Sequence, residues 1–202
     1  MILKIDRKVD SIDLSPFAPL MEFHTARHLV DKAGVTHYRL LAYLSSQLPP
    51  SIVIDVGTCH GASAIALAYN KKVEVITYDV VDRVPASVPS YKNLSNTHLI
   101  LHQDFTVDLL PYTLQNAPLI FLDIDPHDGI VEADFVRKLK EKKFRGVLLL
   151  DDINLNDGMR KFFTDIILPK YTLNGYGSET GTGAVIFDSS YVTLEISQGN
   201  LI

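Results

Sequence analysis

From residue 51 onward the chain alternates short, unbroken apolar runs with longer stretches of helical spacing. The runs 51–56 (SIVIDV), 73–79 (VEVITYD), 97–102 (THLILH), 118–125 (PLIFLDID) and 146–152 (GVLLLDD) are strand-length and apolar on both faces, as buried parallel strands are. Between them, residues 61–69 are rich in Ala and Leu, and residues 130–143 mix apolar and charged positions at helical period. Residues 156–167 place Met159, Phe162, Phe163 and Ile166 on one helical face. Strand and helix in alternation predict an α/β fold, a doubly wound, mostly parallel sheet with helices on both sides.

Both ends depart from that rhythm. Residues 21–48 read as two helices separated near Gly34, the second stopping at Pro49-Pro50. The expected division is therefore an N-terminal helical extension over 1–50 and a ligand-binding domain over 51–202. After Pro169 the pattern turns to β in YTLNGYG, GTGAVIFD and YVTLEI, and the first two predict a C-terminal antiparallel pair joined by a glycine-rich turn. Residues 80–93, with Pro85 and Pro89, read as a loop.

Composition narrows the function classes. With 202 residues, 47% of them hydrophobic, the chain has material for a substantial core, which argues against disorder. A net charge of -5 disfavours a nucleic-acid partner. The lysines at 138, 140, 142 and 143 read as the solvated face of a helix. A single cysteine, Cys59, excludes an internal disulfide and suits a reducing compartment. No apolar run is long enough to span a bilayer, and the N-terminus lacks the pattern of a signal peptide, so a cytoplasmic protein without a membrane partner is expected. A homo-oligomer is compatible with this composition.

The motif with the most chemistry is DVGTCHGASAIALA, residues 55–68. An acid, Asp55, ends an apolar strand. Gly57 permits a sharp turn and close approach of a ligand to the backbone, and Gly61 opens a helix. This suits a nucleoside-type cofactor at the carboxyl edge of a sheet, whereas the G-x-G-x-x-G of dinucleotide binders is absent. The next strand ends in Asp79, placed to take both hydroxyls of a ribose, and the third is followed by Asp104, placed to accept from an adenine amino group. Each acid could equally cap a turn or helix. The spacing of all three after successive strands favours the cofactor.

On these residues the chain resembles the class I S-adenosylmethionine-dependent methyltransferases. Within them it is similar to small O-methyltransferases with a G-T-x-x-G-x-S loop, here Gly57, Thr58, Gly61 and Ser63. The HYRLLAYLSSQL helix and the TGTGAVIF strand share that resemblance, which runs from about Thr36 to Asp188. It implies that Asp55 and Gly57 lie near the methionine part of S-adenosylmethionine, Asp79 at its ribose and Asp104 near its adenine. Cys59 stands where the commonest pattern of the family has a glycine.

A second feature is acidic. LDIDPHD (122–128) and LLLDDIN (149–154) end successive strands whose carboxyl edges should be neighbours. Asp123 and Asp125 face the same side if the strand continues through them. Together with Asp151 and Asp152 they would repel one another unless a hard divalent cation, such as Mg2+, neutralised them. The alternative is that these acids cap helices or face water. The resemblance implies Asp123, Asp151 and Asp152 as metal ligands and Asp125 as general base. His127 departs from the family's pattern and competes for the base role. The chemistry expected is transfer of the sulfonium methyl to a hydroxyl of a small molecule. A non-catalytic nucleoside-binding protein of the same fold and a nicotinamide-dependent oxidoreductase are the competing readings. The acceptor itself is not legible, because loops and added helices shape its pocket.

Overall fold

The structure is a computed structural model that describes residues 1–30, 34–84, 89–101 and 111–197. Its elements in chain order are β1 (Ile2–Ile5), α1 (Phe23–Val30), α2 (Val35–Ser46), β2 (Ser51–Val56), α3 (Ala62–Leu67), β3 (Val73–Asp79), β4 (Thr97–Leu101), α4 (Pro111–Asn116), β5 (Leu119–Leu122), α5 (Ile130–Glu141), β6 (Val147–Leu150), α6 (Asp157–Asp165), β7 (Lys170–Thr172), β8 (Gly183–Ile186) and β9 (Thr193–Ile196). Every apolar run of the central region contains a strand, but those expected over 118–125 and 146–152 end early, at Leu122 and Leu150.

Seven strands make one sheet in the order β4-β3-β2-β5-β6-β8-β7. The β4-to-β6 portion is parallel throughout, and β8 then pairs antiparallel with both β6 and β7. This is the predicted closing pair. The chain winds outward from β2 to β4, returns, and winds the other way through β5 and β6. The order therefore reverses between β2 and β5, the place where open α/β sheets leave a crevice at their carboxyl edge.

Alternation along the strands divides the core. Val53, Val75, Phe121 and Leu149 face one side, where Leu40, Leu41 and Leu44 of α2 and Ile65 of α3 cover them. Ile54, Ile120, Leu122 and Leu148 face the other, under Phe135 and Leu139 of α5 and Met159 and Phe162 of α6. These side chains are removed from water almost completely, and burial of each contributes about 1.5–3 kcal/mol.

The N-terminal region holds both predicted helices and also β1, which the sequence pattern did not announce. β1 pairs in parallel with β9, Leu3 opposite Leu194, in a separate two-stranded sheet. Four residues with alternate burial carry too little signal to be recognised without their distant partner. Helix α4 was likewise not anticipated. No helix among the described residues is long and apolar enough to cross a membrane.

Candidate active site

The loop after β2 is bent by three left-handed residues, Gly57 (φ 102°), Cys59 (φ 46°) and Gly61 (φ 86°). Its path is fixed from the neighbouring strand. The N–H groups of Gly57 and Thr58 both donate to the Tyr78 carbonyl, at 2.9 and 3.1 Å. The Cys59 N–H donates to Asp79 Oδ2 at 2.7 Å. The other Asp79 oxygen accepts from the N–H groups of Val80 (2.7 Å) and Val81 (3.2 Å). Asp79 thus shapes the loop and also lines the cleft beside it.

Asp55 lies below that loop with no solvent exposure. Its Oδ2 accepts from Thr77 Oγ1 (2.6 Å) and Ser63 Oγ (3.1 Å), and Thr58 Oγ1 is 2.5 Å from Thr77 Oγ1. Asp55 Oδ1 is buried and has no partner among the described residues. Burial, with Asp123 and Asp79 adding negative charge nearby, pushes the Asp55 carboxyl up to about 7 against the lowering effect of Thr77 and Ser63. Asp55, Thr58 and Ser63 therefore meet in one buried network, and Thr77, which sequence reasoning missed, joins them. A polar residue at a buried position of the strand, one turn of the pleat before Asp79, is the signal that could have shown it. Asp104 lies outside the described residues.

On the other side of the strand-order reversal, β5 stops at Leu122, before the acids begin. Strand alternation therefore does not place Asp123 and Asp125. The chain turns through a cis Asp125–Pro126 bond and a left-handed His127 (φ 55°). Both acids still line the cleft, gathered around the His127 ring. His127 Nε2 is 3.1 Å from Asp123 Oδ1 and 3.2 Å from Asp152 Oδ2, while Nδ1 is 3.5 Å from Asp125 Oδ1. Asn156 Nδ2 donates to the His127 carbonyl at 2.7 Å and holds the turn from below. The hydrogen bond to Asp123 raises the imidazole to about 9, more than burial lowers it, with Asp152 and Glu132 adding to the rise. At neutral pH the ring is protonated and acts as counter-ion to the acids around it.

The two acids after β6 part company. Asp152 is left-handed (φ 58°) and faces His127, with its other oxygen accepting from Thr180 Oγ1. Asp151 turns toward the N-terminal helix. Its Oδ1 accepts from Ser178 Oγ at 2.6 Å, and its Oδ2 is 3.8 Å from Nε2 of buried His37. His37 Nδ1 in turn is 3.3 Å from Thr182 Oγ1. Burial raises the Asp151 carboxyl; His37 and Ser178 oppose that rise, while Asp123 and Asp152 add to it. The structure thus brings Asp123, Asp152 and His127 together and leaves Asp151 outside the group. Ser178, Thr180 and His37 were not anticipated as site residues, although the first two belong to the glycine-rich turn that joins the closing strands.

These parts enclose a cleft of about 390 Å³, lined by Gly57, Cys59, Asp79, Arg83, Asp123 and His127 among others. That volume falls in the range of small-molecule sites, about 300–1,000 Å³. A cavity of about 410 Å³ between α5 and α6, lined by Val136, Phe162 and Ile166, includes neither the glycine loop nor the three-residue cluster.

The fold has known counterparts. The SAH-bound methyltransferase of Podospora anserina matches it with a TM-score of 0.59 at 16% identity, covering 90% of this chain and 88% of that one. The Bacillus cereus O-methyltransferase in complex with SAH matches with a TM-score of 0.56 at 16% identity, covering 90% and 91%. Aeropyrum pernix fibrillarin with natively bound S-adenosyl-L-methionine matches with a TM-score of 0.52 at 13% identity, covering 74% and 75%. The chain has the class I methyltransferase fold. No protein-family model matches it, and no curated protein matches it in sequence. In this fold the residues Gly57, Cys59 and Asp79 occupy one wall of the crevice, and Asp123, Asp125 and His127 after β5 form the other.

Proposed function

We propose that the chain is an S-adenosylmethionine-dependent O-methyltransferase that acts on a hydroxyl group of a small molecule, with a divalent cation held at Asp123 and Asp152. The observation that carries this reading is one cleft, at the strand-order reversal, bounded by the glycine loop with Asp79 and by Asp123 and His127, two members of a carboxylate–imidazole cluster. The residues fit both groups. Gly57 carries no side chain at the wall of the cleft, and Asp79 turns a carboxylate toward it. Among the described residues, Asp123, His127 and Asp152 each offer a ligand atom within 4.8 Å of the others.

When bound, S-adenosylmethionine supplies the methyl group on a sulfonium, and the cation supplies a Lewis acid that lowers the pKa of the acceptor hydroxyl. The chain's own residues do the rest. Asp79 binds the ribose with the lone pairs that its backbone donors leave free. Asp125, with a side chain 89% exposed at the cleft, takes the acceptor proton. His127 Nε2 instead faces Asp123 and Asp152, at 3.1 and 3.2 Å.

Calorimetry with SAH and a thermal-shift comparison with NAD test the cofactor assignment. Micromolar binding of SAH and none of NAD is expected, and NAD binding alone would replace this reading with the oxidoreductase one. Transfer from labelled S-adenosylmethionine to a panel of phenols and sugars, with and without chelator, then separates an enzyme from a nucleoside-binding protein.

A further inference from the structure

The cluster invites a choice of ligands that the fold does not decide. A site made of Asp123, Asp151 and Asp152 would be all oxygen and suited to Mg2+. The side chains are not arranged that way. Asp151 is committed to Ser178 and faces buried His37. The place beside Asp123 and Asp152 is taken by His127, whose Nε2 points between their carboxylates at 3.1 and 3.2 Å.

We propose that the cation ligands of this chain are Asp123 Oδ1, His127 Nε2 and Asp152 Oδ2, a mixed oxygen–nitrogen centre that takes a first-row transition ion such as Mn2+, Fe2+, Co2+ or Zn2+ in preference to Mg2+. The inference rests on the cation in the reading above and specifies its ligands. The surroundings of the three atoms support it independently of their mutual distances. A histidine that binds a metal through one ring nitrogen has the other aimed at a carboxylate or carbonyl, and here Nδ1 faces Asp125 Oδ1 at 3.5 Å. A ligating carboxylate is held through its second oxygen, and Asp152 Oδ1 accepts from Thr180. The His127 backbone is pinned by Asn156. An imidazole ligand shifts preference from Mg2+ toward transition ions. Binding would displace the Nε2 proton to solvent, and Asp123 and His127 line the cleft in which an acceptor oxygen would meet the ion.

The test is pulsed electron paramagnetic resonance of Mn2+ bound to the full chain, with SAH affinity as the check on folding. The wild type is expected to show the 14N modulation of a directly bound imidazole. His127→Ala should lose that signal and bind Mn2+ more weakly by roughly 10- to 100-fold or more, the loss known for outer-sphere partners being the lower bound. Asp151→Asn should keep both signal and affinity, and Mg2+ should displace Mn2+ only in large excess. If Mn2+ binds without nitrogen coupling, or if Asp151→Asn abolishes binding while His127→Ala does not, the ligand set proposed here is wrong and the cation reading stands. If the wild type binds no divalent ion, both fall.

Discussion

The main-chain oxygen of Asp123 lies 1.7 Å from the point that a Cβ on Gly57 would occupy. The two walls of the cleft are therefore in backbone contact at this position, and the Asp123 N–H donates to the Val56 carbonyl at 2.9 Å beside it. Gly57 also has a φ of 102°, which other residues adopt only at a cost. Gly57→Ala must separate the cofactor loop from the cluster. Thermal denaturation should show a loss of about 2 kcal/mol or more, with SAH binding weakened beyond detection. Normal stability with normal SAH affinity would mean that the loop does not touch the acid-bearing turn as described.

Asp79 joins the glycine loop to the proposed ribose site. Asp79→Ala removes the acceptor for Cys59, Val80 and Val81 as well as any bond to the cofactor. Calorimetry should find SAH binding weaker by about 1–3 kcal/mol. Unchanged affinity would remove Asp79 from the cofactor site.

Asp55 predicts a pH dependence of stability. Its folded pKa, about 7, lies above the ordinary 3.8, so the folded state holds a proton that the unfolded chain releases. The associated stability is fully present below about pH 4 and is lost as pH rises through 7. In Asp55→Asn the amide can still accept from Thr77 and Ser63. This variant should lack that decline and be more stable than wild type at pH 8, by an amount on the order of a few kcal/mol. Parallel stability–pH curves for the two proteins would show that Asp55 is ionised in the fold throughout.

Asp125→Asn preserves shape but cannot take a proton. With a working acceptor substrate, kcat should fall on the order of 100-fold, while SAH affinity changes little. If turnover stayed near wild type, the proton would leave by another route, such as direct loss from an already ionised acceptor.

The site was legible in the sequence wherever its geometry follows from a strand end. Asp55, Gly57 and Asp79 sit at the carboxyl ends of strands whose apolar runs mark their own limits, and parallel pairing brings those ends to one edge. The same logic brought the acids after β5 and β6 together. It could not assign partners within them, because the strands stop at Leu122 and Leu150 and the residues beyond follow turns. Left-handed backbone at His127 and Asp152 decides which side chains converge, and adjacent Asp151 and Asp152 consequently serve different neighbours.

The sequence by itself determined the parallel core, the position of the glycine loop and the crowding of carboxylates at one edge. These depend on local periodicity and on the rule that such strands align their ends. Only the tertiary structure decided that β1 joins β9, that α2 brings His37 to Asp151, and that Thr180 from the β7–β8 turn holds Asp152. Each is a contact between segments far apart in the chain, so no local pattern encodes it.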